Sequence, residues 1–77
     1  DDELLELFVQ EFHLTPREGE VLDYLLHSDE SMQDVAKQLA VSRAALYRHI
    51  ANMNEKTQTK ARMGLVQFYY SWTREKQ

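Results

Sequence analysis

The sequence predicts an all-α fold of five short helices, the third and fourth forming a helix-turn-helix. Three observations predict it. Apolar residues recur at three- and four-residue spacings along most of the chain, the period of helices with one buried stripe. No strand-like alternation of useful length appears, nor any internal repeat or low-complexity segment. Two helix patterns, each opened by a serine, run from Ser31 to Leu39 (SMQDVAKQL) and from Ser42 to Lys56 (SRAALYRHIANMNEK), with only Ala40 and Val41 between them. Two residues are too few for a wandering loop, so these helices must turn sharply and cross.

The first helix carries Leu4, Leu5, Phe8, Val9 and Phe12 as its stripe, has an acidic opposite face, and ends near His13 and Leu14. A clear helix start follows at Thr15-Pro16-Arg17-Glu18. Thr15 caps, Pro16 suits the first helical position, and Glu18 completes a capping box by reaching back to the Thr15 amide. Val21, Leu22, Leu25 and Leu26 supply the second stripe until residues 27–30 break it. Ser31 caps the third helix, with Asp34 placed for the reciprocal bond, and Met32, Val35, Ala36 and Leu39 face inward.

The fourth helix follows Ser42. At about 100° per residue, Leu46, Ile50 and Met53 point into the core. Ala44, Arg48, Ala51 and Glu55 then cluster on the opposite side, flanked by Tyr47 and Asn52. After a break at Thr57-Gln58, a fifth helix is predicted from about Thr59 or Lys60 to Trp72. Its Leu65, Val66, Phe68, Tyr69 and Trp72 form an apolar face wider than one core stripe needs. Two explanations stand. Either the first helix covers the far edge, or Leu65, Phe68, Tyr69, Tyr70 and Trp72 form a dimer interface, where aromatics are over-represented.

Seventy-seven residues make one domain at most, and a domain this small buries only about 60% of the surface its unfolded chain exposes. The net charge is −4, but it is unevenly placed. Residues 1–30 carry ten acids against Arg17 alone, whereas residues 31–62 carry Lys37, Arg43, Arg48, Lys56, Lys60 and Arg62 against Asp34 and Glu55. A basic segment that coincides with the helix-turn-helix points to a face for double-stranded DNA. On that reading helix 43–56 enters the major groove. The amides at Ser42 anchor a phosphate, and Ala44 and Ala51 let the helix settle deeply and touch thymine methyls. Arg48 forks onto guanine, Tyr47 reaches a phosphate or packs on a sugar, Asn52 flanks them, and Arg43, Lys56, Lys60 and Arg62 neutralise phosphates. Glu55 on the same face repels phosphate, so the C-terminal end of the helix should leave the groove.

Other classes are excluded by what the chain lacks. No run of apolar residues is long enough to span a membrane, no signal-peptide pattern appears, and there is no cysteine. His13, His27 and His49 share no metal-ligand spacing, so no metal and no cofactor are expected. His49, on the flank toward the core, is read as a packed residue. With no phosphate loop and no Ser/His/Asp or Cys/His grouping, no enzyme is expected. The chain begins Asp1-Asp2 rather than with methionine, so a fragment of a longer protein is expected. Residues 1–13 are then an acidic amphipathic helix leading to an upstream domain, and residues 14–77 the DNA-binding domain, with its helix-turn-helix over 31–56. A cytoplasmic location is expected, free or as the cytoplasmic end of a membrane-associated regulator.

Leu14-Thr15-Pro16-Arg17-Glu18-Gly19-Glu20-Val21-Leu22 resembles the opening signature of the LuxR-type DNA-binding domain. The rest follows in register: residues 35–39 (VAKQL) on the scaffold helix, Ser42, Leu46, His49 and Lys56 along the recognition helix, and Leu65-Val66 on the last. The resemblance covers roughly residues 12–70. It implies a four-helix DNA-binding domain of bacterial transcription regulators, here with an additional N-terminal helix, working as a homodimer and addressing the transcription machinery. Departures stand at Ala45 (usually threonine), Tyr47 (usually lysine), Gln58 (often glycine) and Met32-Gln33 (a basic or polar pair). Gln58 should make a left-handed helix end costlier. Ala45, Tyr47 and the net acidity motivate an alternative, a protein-interaction module of the same fold with weak DNA binding. A sigma-factor promoter-reading domain has a similar helix-turn-helix, but the Leu14–Leu22 opening argues against it.

Overall fold

In the computed structural model, which describes residues 2–76, five helices follow one another: α1 (Asp2–Glu11), α2 (Pro16–Leu26), α3 (Met32–Gln38), α4 (Arg43–Thr57) and α5 (Ala61–Lys76). No strand occurs among the described residues. The expected segments 1–13 and 14–77 each extend one residue beyond that range.

Local chemistry sets each start. The Thr15 hydroxyl accepts the Glu18 amide at 3.0 Å while the Thr15 amide donates to Glu18 Oε1 at 2.8 Å, so the capping box closes. Ser31 accepts the Asp34 amide and Ser42 the Ala45 amide. The reciprocal bond expected of Asp34 does not form, and among the described residues only the Thr15 cap is two-sided. At the end of α4, Gln58 takes the left-handed conformation (φ 58°, ψ 44°) that its side chain makes costly.

The start of α5 falls at Ala61, later than expected, because Thr59 is held in the turn: its hydroxyl meets Thr57 Oγ1 and accepts from Asn54 Nδ2. The helix also runs one turn past Trp72. Lys76 lies 3.8 Å from Glu11 and 5.2 Å over the Trp72 ring, which gives that last turn partners on α1.

Phe8, Val21, Leu22, Val35, Leu46, Met53 and Leu65 are the fully buried centre of the core, drawn from all five helices. Gly19 lets α1 and α2 approach closely: a Cβ there would meet Val9 Cγ2 at 3.1 Å. The wide apolar face of α5 is covered by α1. Phe8 sets its ring 5.0 Å from Tyr69, 5.2 Å from Trp72 and 6.0 Å from Phe68, all edge-on. Trp72 Nε1 donates to Glu11 Oε2. The expected dimer surface is corrected accordingly: Leu65, Tyr69 and Trp72 are core residues, Phe68 is half-buried against Phe8 and Phe12, and of that set only Tyr70 is exposed.

Candidate nucleic-acid interface

The turn between α3 and α4 is tight for an identifiable reason. Leu39 ends α3, and Ala40 swings to φ 57°, a left-handed conformation that alanine adopts at a cost. The Val41 amide then bonds the Ala36 carbonyl at 3.0 Å. From outside the motif, Arg17 Nη2 donates to the Leu39 carbonyl at 2.9 Å and pins the turn to α2. Ser42 caps α4 immediately afterwards, so its hydroxyl is spent on Ala45, and the amides of Arg43 and Ala44 remain at the open helix end.

Along α4, Leu46, Ile50 and Met53 are buried, and Ala44, Tyr47, Arg48, Ala51, Asn52 and Glu55 are exposed. The outward face is small in its first half and carries Arg48 as its one long cation. His49 is half-buried on the flank. Arg43, in the first turn of α4, and Lys60, in the turn between α4 and α5, are exposed.

A family model, that of the bacterial regulatory proteins of the luxR family, matches residues 13–69. The chain belongs to the luxR family. No curated protein and no solved structure matches it. As a luxR-family helix-turn-helix domain it binds DNA and regulates transcription, the work of regulatory modules rather than enzymes. The match leaves α1 outside it and takes in all of α2, α3 and α4.

Two cations of this LuxR-type domain serve the fold instead of an open face. Lys56 Nζ donates to Glu18 Oε1 at 2.7 Å and to the His13 carbonyl at 3.0 Å, joining the last turn of α4 to the α2 cap. Arg62 donates to the carbonyls of Glu30 (2.6 Å) and Ser28 (2.8 Å) and reaches Met32 Sδ, so it clamps the α2–α3 loop. Both were expected to meet phosphate. Their partners lie about thirty to forty residues away in sequence, beyond the reach of any local pattern.

The charges respond to these contacts. Burial pushes the Glu18 carboxyl up, but the Lys56 ammonium, the Thr15 amide and the nearby His49 outweigh it and hold it below the ordinary carboxylate range. Glu30 is likewise held low, chiefly by the Tyr24 hydroxyl, with Ser28 and the charge of Arg62 adding to it. That bond raises the Tyr24 phenol in turn. Among the described residues no group of acidic, histidine or cysteine side chains is arranged to hold a metal, and no helix is long and apolar enough to cross a membrane.

Two apolar features escaped the sequence reading. Met63, 66% exposed, heads an outward stripe on α5 that continues through Val66 to Tyr70, 44% exposed, beside Leu26. The stripe has helical spacing and was legible in principle, but the aromatic run beside it drew the expectation. A recess flanking α4, between Met32 and Tyr47, has no sequence signal, because it arises from where α3, α4 and α5 meet.

Proposed function

We propose that this LuxR-type domain binds double-stranded DNA sequence-specifically, with α4 in the major groove, and regulates transcription as a homodimer that contacts the transcription machinery. The observation that carries the reading is the outward face of α4: Ala44, Arg48 and Ala51 exposed on one side of a capped helix, with Arg43 exposed in its first turn and Lys60 in the turn that follows it. The alanines let the backbone approach the base edges. Arg48 forks onto the O6 and N7 of a guanine, with Tyr47 and Asn52 beside it. The amides following Ser42, together with Arg43 and Lys60, hold phosphates and set the register. Lys56 and Arg62 act one step removed, by fixing α4 and α3 in place.

The dimer contact moves to the α5 stripe of exposed Met63 and Tyr70 with half-buried Val66 between them. The DNA-binding unit runs from Leu14 through α5, with α1 docked on it as an acidic helix. The test is a titration with a randomised duplex pool over a salt series. With Arg43 and Lys60 as the phosphate-neutralising side chains, log affinity should fall against log salt with a slope of about −2 per protomer. No shift at low salt and no enriched sequence would overturn the reading in favour of a protein-interaction module.

A further inference from the structure

We infer that the recess beside Tyr47 receives the 5-methyl groups of pyrimidines, so that the domain distinguishes thymine from uracil, and 5-methylcytosine from cytosine, within its operator. The inference rests on the proposed entry of α4 into the major groove. The recess has a volume of about 470 Å³ and lies where the start of α3, the middle of α4 and the start of α5 meet. Met32, Tyr47, Ile50, Ala51 and Ala61 line it, together with Asn54 and Arg62.

Two of its polar members, Arg62 and Asn54, are already engaged, and the Tyr47 hydroxyl remains open. The Arg62 guanidinium is held by the Ser28 and Glu30 carbonyls, and Asn54 Nδ2 donates to Thr59 Oγ1 and the Ala61 carbonyl. Apolar surface finds methyl, thioether and ring carbons here. Tyr47 and Ala51, one turn apart, belong both to this recess and to the exposed part of α4, so the recess borders the outward face along its Tyr47 flank.

The exposed cations Arg43 and Lys60 stand one turn before Tyr47 and one residue before Ala61. A DNA strand offers both phosphates for such cations and apolar groups for such a lining. In the major groove the apolar group is the thymine C5-methyl, which cytosine lacks.

The test starts from an operator enriched out of a randomised pool, titrated by fluorescence anisotropy. Each thymine is replaced in turn by deoxyuridine, which removes the methyl and leaves the pairing intact. Affinity should fall about fourfold per buried methyl at one or two positions and stay unchanged elsewhere. Cytosine placed at a sensitive position should bind about fourfold more tightly when methylated at C5. Tyr47→Ala removes an exposed wall of the recess, so the fold is spared; the thymine-to-uracil ratio should approach one while the salt slope stays the same. An enriched operator that ignores deoxyuridine at every position overturns this inference alone, as does a ratio that survives Tyr47→Ala. Absence of binding to any duplex overturns the DNA reading and this inference with it.

Discussion

Lys56→Met separates a cation that holds the fold from one that meets DNA. In the folded domain the Lys56 ammonium sits 2.7 Å from Glu18 Oε1 and 3.0 Å from the His13 carbonyl. The Glu18 side chain is only 3% exposed, whereas that of Lys56 is 30% exposed. Removing the ammonium leaves a buried carboxylate with the Thr15 amide as its remaining bond. Breaking a fully buried pair costs about 3–5 kcal/mol. The partial exposure of Lys56 and the surviving amide bond reduce this to about 2 kcal/mol.

In a domain of this size each kcal/mol moves Tm by roughly 4–8 °C, so circular-dichroism melting should show a drop of about 8–16 °C. Acidity gives a second signature. Because the Glu18 carboxyl is held below its ordinary value of 4.5, its stabilisation is fully present above that value and is lost as pH falls through the folded one. The wild-type and Lys56→Met melting curves should therefore converge below about pH 4.5. Below its melting range the variant should keep the wild-type salt slope for DNA. An unchanged Tm together with a slope about one unit shallower would refute the structural role and return Lys56 to the phosphate contacts.

Three further perturbations probe other parts of the fold. Phe8→Ala should cost about 3–5 kcal/mol by emptying the centre of the α1–α5 aromatic cluster, read as a lower Tm and red-shifted Trp72 fluorescence; a loss below about 1 kcal/mol would mean α1 contributes little. Ala61→Gly should raise stability by up to about 1 kcal/mol, since glycine relieves the left-handed backbone at φ 58°; a lower Tm would contradict the strain assigned to this turn. Tyr70→Glu should leave the melting curve nearly unchanged yet weaken dimeric occupancy of a palindromic operator in sedimentation, and wild-type occupancy of one protomer per duplex at saturation would contradict the α5 contact.

The helices and their caps were legible because their causes are local. Thr15 and Glu18 stand three residues apart, Ser31 and Ser42 precede apolar periodicity, and Leu46, Ile50 and Met53 share an arc of one helix. The left-handed end at Gln58 was legible through the family pattern, but Ala40 and Ala61 gave no warning, since alanine does not advertise positive φ. The exposed face of α4 could be read from the same periodicity. The duties of the cations could not. Lys56 and Arg62 look like any basic residue near a recognition helix until Glu18 and the carbonyls of Ser28 and Glu30 are brought to them by the fold. The α5 aromatics were ambiguous for a related reason: helical spacing shows that a face is apolar, and only the position of Phe8 shows that α1 covers it.

The central claim is that the outward face of α4 reads base pairs through Arg48, and parallel selections with the wild-type domain and Arg48→Ala test it most directly. Both proteins are incubated with the same randomised duplex pool at low salt, and the bound fraction is sequenced. The expected result is a shared motif in which Arg48→Ala loses preference at one G·C pair, by about 1–3 kcal/mol of discrimination, while the flanking positions and the melting temperature stay as in the wild type. Identical motifs from the two proteins, or no motif from either, would contradict it.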